Sequence, residues 1–192
     1  MSWTEILGFV TGAACVWLTV RTKVWNFPVG IANNVFFLVL FWGTGLYADA
    51  GLQVVFLALA AHGWWQWLRG GEQQLGLEIR RASARELTVL LVLLVPATAL
   101  LTALLARTHG SAPFWDALTT ALSLAAQWLL NAKRLETWYF WIAADLVYIP
   151  LYAAKGLYLT AVVYGLFLAM CVAGLRGWRR EPGVVTPLAV AA

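Results

Sequence analysis

The sequence predicts an all-α integral membrane protein, with seven transmembrane helices in a three-plus-one-plus-three order built from two parallel three-helix repeats. Three observations lead there. The 192 residues are 62% hydrophobic and only 11% charged, against ~25% charged in soluble domains. Seven apolar stretches reach the ~17–25 residues that a helix needs to cross the hydrocarbon. Finally, the chain matches itself, without gaps, at an offset of 111 positions.

The expected spans are 4–20, 26–45, 50–68, 87–106, 115–131, 138–154 and 157–175. The first lacks a basic n-region and a small-residue cleavage site, so it reads as a helix of the protein and not as a signal peptide. The second opens on Asn26 and carries Pro28, Gly30, Asn33 and Asn34, and the third carries Gln53 and His62. The fourth holds Pro96 and follows the one long charged connection, Arg69–Glu86. The fifth and sixth bear polar stripes, and the seventh returns to apolar residues before Arg176, Arg179 and Arg180. The domain organisation is therefore a first triplet over 4–68, a charged loop and linker helix over 69–106, a second triplet over 115–180 and a tail over 181–192.

Charge sets the orientation. The face holding the N-terminus receives only Arg107 and Lys155, whereas the opposite face receives the other 11 of the 13 basic residues, from Arg21 and Lys23 through Arg80, Arg81 and Arg85 to Arg180. Cytoplasmic loops carry the Lys/Arg excess, which puts the N-terminus outside and the C-terminus in the cytoplasm. The pI of about 9.3 expresses this bias. No stretch is both basic and water-compatible enough for a nucleic-acid face.

The self-match lays Ala14–Arg69 on Ala125–Arg180 with 16 identities in 56 positions. These include Trp17/Trp128, Gly45-Leu46-Tyr47/Gly156-Leu157-Tyr158, Gly63/Gly174 and Trp67/Trp178. One intervening helix gives the second triplet the polarity of the first, and carriers built from such parallel repeats bind substrate between the halves near the midplane.

Polar groups inside spans face a cavity or the protein interior. On the sixth helix Trp138, Trp141, Asp145, Tyr148 and Tyr152 recur at spacings of 3 and 4 and share one face. On the fifth, Asp116, Thr120, Ser123, Gln127 and Asn131 form a second stripe. With Asn34 and Gln53, these stripes supply the candidate substrate site: Trp138, Trp141, Asp145, Tyr148, Tyr152, Gln127, Asn131, Asn34 and Gln53. The repeat aligns Asn34 with Asp145, Gly30 with Trp141, Phe27 with Trp138 and Val16 with Gln127, so the two halves place different chemistry on one scaffold. Trp3, Trp25, Trp67, Trp115 and Trp178 read as interfacial belt residues, and His62 as a packed side chain.

The sequence offers no Gly-rich phosphate loop, no HExxH and no clustered His/Cys ligand set. Cys15 and Cys171 both lie in apolar runs, away from any disulfide or zinc pattern. An enzyme, a metal site and a bound cofactor are not expected.

Several stretches carry a family resemblance: Trp25-Asn-Phe-Pro-Val-Gly30, Leu46-Tyr-Ala-Asp49, Gly63-Trp-Trp-x-Trp67, Lys133-Arg-Leu-Glu136-x-Trp138-x-x-Trp141-x-x-x-Asp145 and Leu151-Tyr-Ala-Ala-Lys-Gly-Leu-Tyr158. Over nearly all of residues 5–180 the chain resembles the PnuC family of bacterial vitamin transporters, whose best-known substrate is nicotinamide riboside. The resemblance implies a fold like that of the SWEET sugar transporters, a homotrimer in the inner membrane, and facilitated diffusion without ion coupling. It also implies accumulation through phosphorylation of the vitamin by a cytoplasmic kinase. The family's tryptophan pair falls on Trp138 and Trp141, which would pack the nicotinamide ring, and its amide and acidic positions on Asp145, Gln127, Asn131, Asn34 and Gln53. A thiamine or riboflavin transporter of the same family is the alternative, and a membrane receptor or regulatory subunit the alternative from another class.

The orientation has a direct test. With Cys15 and Cys171 replaced, a cysteine at Lys155 should react with a membrane-impermeant maleimide in intact cells, and one at Arg81 only after permeabilisation. The opposite pattern inverts the assignment.

Overall fold

The computed structural model describes residues 3–43, 45, 47–70, 77–108 and 112–185. These form α1 (Trp3–Val20), α2 (Asn26–Gly43), α3 (Tyr47–Arg69), α4 (Ala84–Leu105), α5 (Pro113–Asn131), α6 (Thr137–Ala154), α7 (Tyr158–Trp178) and the short α8 (Pro182–Val185). A single 3₁₀ turn, Ala106–Thr108, follows α4. The seven expected spans correspond to α1–α7 within a few residues at each end. The short α8 lies at the start of the expected 181–192 tail, with Val184 in the same buried cluster as Trp178. Three helices are long and apolar enough to cross a membrane on length and composition: Asn26–Gly43, Ala84–Leu105 and Tyr158–Trp178.

Local chemistry sets the ends. Ser83 caps α4, its Oγ accepting the Glu86 backbone N–H at 3.1 Å, and the Ser-x-x-Glu order is that of a capping box. Pro113 opens α5, where its missing N–H costs nothing.

The 111-residue offset recurs in the backbone. Moved by 111, α2 coincides with α6 at both ends, and α1 and α3 match α5 and α7 within two residues. The turn after α1 bonds Thr22 N–H to Thr19 O and Lys23 N–H to Leu18 O, and the turn after α5 bonds Lys133 N–H to Leu130 O and Arg134 N–H to Leu129 O, all at 2.8–2.9 Å. Both turns close through a left-handed non-glycine residue, Thr22 (φ 55°) and Lys133 (φ 49°), and Gly45 (φ 79°) and Gly156 (φ 74°) do the same after α2 and α6. A left-handed residue at this point satisfies the last carbonyls of a helix.

Packing follows the same order. Helices α1, α2 and α3 pack in sequence, α3 packs on α5, α5, α6 and α7 pack in sequence, and α7 returns to α1, closing a ring of six. Helix α4 stands outside the ring against α5. Apolar area alone gives little reason for helices to associate in lipid, so close packing and interhelical hydrogen bonds, ~0.6 kcal/mol each on average, hold such bundles. Trp67 Nε1 donates to Leu130 O (3.0 Å), Asn131 Nδ2 to Leu59 O (2.8 Å) and Thr137 Oγ1 to Ala126 O (2.8 Å), tying α5 to α3 and α6.

Three glycines let a ring of another helix approach closely: Gly8 faces Phe37, and the two at the end of the bundle, Gly63 and Gly174, are the most crowded. A Cβ on Gly174 would run into the Trp138 ring, and one on Gly63 into Phe27 and the Asn131 carboxamide. The seated rings meet their neighbours alike: Phe27 lies edge-on to Trp67 (5.1 Å, 83°) and Trp138 edge-on to Trp178 (5.3 Å, 85°). Trp67 and Trp178 in turn lie 6.4 Å apart, so four rings form one plug at the end of the bundle bearing the basic loops. Gly174→Ala should therefore lower stability by ~1–3 kcal/mol through overpacking, whereas Gly177→Ala, with open space around it, should not. Thermal unfolding in detergent compares the two.

Candidate functional site: a cavity between the helix triplets

The six-helix ring encloses a cavity of about 370 Å³, within the ~300–1,000 Å³ usual for small-ligand sites. Ten of its lining residues come from the second triplet: Ser123, Gln127 and Leu130 of α5, Trp138, Trp141, Asp145 and Tyr148 of α6, and Tyr164, Phe167 and Cys171 of α7. Each has its mate, 111 positions earlier, in the lining of the first triplet: Gly12, Val16, Thr19, Phe27, Gly30, Asn34, Phe37, Gln53, Phe56 and Ala60. The mates differ in size and polarity. Gly30 stands at the position matching Trp141, Val16 at that of Gln127 and Ala60 at that of Cys171, so the first triplet leaves room and the second brings most of the rings and hydrogen-bonding groups.

Seven of the nine expected site residues line this cavity: Trp138, Trp141, Asp145, Tyr148, Gln127, Asn34 and Gln53. The other two stand behind it. Asn131 is 1% exposed, and its carboxamide donates to Leu59 O and accepts from Gln127 Nε2 at 2.9 Å. With that N–H engaged, Gln127 keeps its carbonyl free for the cavity. Tyr152 stacks on Tyr148 (5.7 Å) and Tyr164 (5.2 Å), backing the wall. Tyr164 itself, 4.5 Å from Tyr148, did not stand out in the sequence, although as the repeat mate of Gln53 it carried a signal. Cys15, Asn26 and Asn33 complete the lining from the first triplet; the Cys15 thiol donates to Asn26 O at 3.3 Å.

Two expected belt tryptophans are corrected. Trp67 (5% exposed) and Trp178 (1%) are buried in the plug, whereas Trp25 (66%) and Trp115 (47%) are exposed as belt residues are. The side chain of Trp3 lies outside the described residues. Helix-end position in a sequence does not distinguish a ring facing lipid from one facing the ring of helices. His62 is exposed and stacks near Trp65 and Trp128.

Asp145 is the strongest electrostatic feature of the cavity. It is 5% exposed, it shares the cavity lining with Cys171, and its Oδ2 has no hydrogen-bond partner among the described residues. No ion pair among the described residues reaches it; the pairs are Arg80–Glu78, Arg134–Glu86 and Lys155–Asp116. The Trp138 Nε1 donor beside the cavity floor also lacks a partner there. Below the plug, Lys133 sits 4.4 Å over the Trp67 ring and donates to Leu77 O at 2.7 Å. Burial there lowers its pKa from the ordinary lysine value. Among the described residues no three His, Cys, Asp or Glu side chains group as metal ligands.

Apolar helices of bilayer length around a largely aromatic cavity that holds a few polar groups, between two helix triplets, are the features of a helical membrane transporter. Residues 2–180 match the family described as nicotinamide mononucleotide transporter, and the chain belongs to that family, as its PnuC-like motifs anticipate. It is 26% identical to the nicotinamide riboside transporter PnuC of Escherichia coli strain K12, over 93% of this chain and 85% of the relative. It is 28% identical to the riboflavin/roseoflavin transporter RibM of Streptomyces davaonensis, over 92% and 84%. Its fold is that of the crystal structure of the vitamin B3 transporter PnuC, with a TM-score of 0.71 at 22% identity, covering 92% of this chain and 80% of that one. These relatives are membrane transporters and not enzymes.

The two site tryptophans separate by burial. Trp138, seated on Gly174, carries the fold, so Trp138→Ala should cost ~3–5 kcal/mol of stability. Trp141 is only partly buried, and Trp141→Ala should leave the melting temperature nearly unchanged while weakening ligand binding. Melting and calorimetric titration of both variants decide the point.

Proposed function

We propose that this protein is a bacterial inner-membrane carrier for nicotinamide riboside. The observation that carries the reading is Asp145, a buried carboxylate with no cationic partner among the described residues, facing a cavity floored and walled by Trp138, Trp141 and Tyr148. Nicotinamide riboside is a flat pyridinium cation bearing ribose hydroxyls. Aromatic faces attract such a ring by ~2 kcal/mol or more when it is desolvated, and a carboxylate supplies the missing countercharge. Gln127, held with its carbonyl inward by Asn131, together with Asn34 and Gln53, offers groups for the hydroxyls and the carboxamide. A second reading has its own support: RibM, 28% identical, is named for riboflavin, a flat but uncharged ring. Thiamine is flat and cationic, and the aromatic pair does not separate it from nicotinamide riboside.

In this reading all seven long helices cross the membrane, with the polar faces of α3, α5 and α6 turned into the ring. The two triplets are parallel repeats about an axis through the cavity, which the mated lining positions and the mirrored turns support. Rocking of one triplet against the other exposes the site to each side in turn, and movement is downhill. The chain acts as a homotrimer with its C-terminus in the cytoplasm, and a cytoplasmic kinase traps the vitamin by phosphorylation.

Two measurements test this. Asp145→Asn should weaken nicotinamide riboside and thiamine by about tenfold or more, as loss of a hydrogen bond to a charged group implies, and leave riboflavin, if bound, unaffected; equal losses for all three remove the countercharge role. Liposomes holding the purified protein should take up labelled nicotinamide riboside with no proton or sodium gradient, and strict gradient dependence rules out downhill movement.

A further inference from the structure

A second cavity lies outside the ring, in the angle between α3, α4 and α5. It holds about 600 Å³. Leu90, Leu93, Leu94 and Ala97 of α4 form one wall, Leu59 of α3 the other, and α5 the floor. The floor is low because Ala121 and Ala125 project so little, and the cavity is open to the outer surface of the bundle. One end alone is polar: Ser83, Arg85 and Glu86, at the face that bears eleven of the thirteen basic residues. Glu86 is already paired with Arg134 (3.3 Å), which leaves the exposed Arg85 as the charge presented at the mouth.

Length and charge together identify the occupant. From Glu86 to Ala97 the helix rises ~16 Å at 1.5 Å per residue, close to the ~15 Å of one leaflet of a ~30 Å hydrocarbon core. A groove that is apolar over one leaflet and cationic at its interfacial end has the dimensions and polarity of one phospholipid acyl chain below an anionic headgroup, and basic pockets between helices bind such headgroups. We propose that the α3–α4–α5 groove is a site for an anionic phospholipid, with an acyl chain against Ala121, Ala125 and Leu93 and the phosphate at Arg85. Occupancy wedges the linker helix against both triplets, because α4 otherwise packs mainly on α5.

The test is native mass spectrometry of the delipidated protein in detergent, titrated with phosphatidylglycerol or phosphatidylethanolamine of matched chains. The expected result is retention of phosphatidylglycerol over phosphatidylethanolamine by about fivefold, the factor one arginine contributes beside an anionic surface. Arg85→Gln should erase that preference, and Leu93→Trp, a change at a side chain 55% exposed, should reduce binding of both lipids. Equal retention of the two lipids by the unmodified protein overturns the proposal, as does a preference that survives Arg85→Gln. Efficient crosslinking of Leu93→Cys to a second copy of the chain in a bilayer also overturns it, since the groove is then a subunit contact.

Discussion

The structure depends on two rings pressed against two glycines. Phe27 of α2 seats on Gly63 of α3, and Trp138 of α6 on Gly174 of α7, at a distance that no side chain larger than hydrogen permits. In lipid, where apolar area gives helices little reason to associate, contact of this closeness supplies the dispersion energy that joins them. The seating also fixes where the second and sixth helices cross the third and seventh, and hence the width of the cavity above. Because Trp67 and Trp178 meet over the same spot, one aromatic plug joins the two triplets at the end of the bundle bearing the basic loops.

Above the plug the two triplets divide the work unequally. Positions that match by the 111-residue offset line opposite walls, but Gly12, Val16, Gly30 and Ala60 leave space where Ser123, Gln127, Trp141 and Cys171 fill it. Matched positions with different contents suit, in the proposed reading, a ligand with one flat charged end and one hydroxylated end. Behind the wall, Asn131 and Tyr152 hold Gln127 and Tyr148 in place, which lowers the cost of ordering these side chains when a ligand arrives.

The connecting segment is tied to the second triplet. Arg80 N–H donates to Lys133 O (3.1 Å) and Leu135 N–H to Arg80 O (2.9 Å), forming an isolated bridge. Glu136 accepts the Ala82 N–H at 2.7 Å, and Arg134 pairs with Glu86. These contacts gather the basic loops around the α5–α6 turn, so that a movement of the second triplet carries the linker with it.

Much of this was legible in the amino-acid order, because period and composition are local properties that survive without partners. The seven helices, the offset of 111, and the stripe of Trp138, Trp141, Asp145 and Tyr148 all follow from spacing along one chain. The tertiary structure decided which member of a stripe meets the cavity and which meets a neighbouring helix. Asn131 and Tyr152 share helical faces with true lining residues, yet Leu59 O and Tyr164 claim them. Trp67 and Trp178 sit near helix ends as belt residues do, yet Phe27 and Trp138 pack edge-on against them and they are buried. Periodicity names a face of a helix; only the packing of helices against one another determines what that face looks onto.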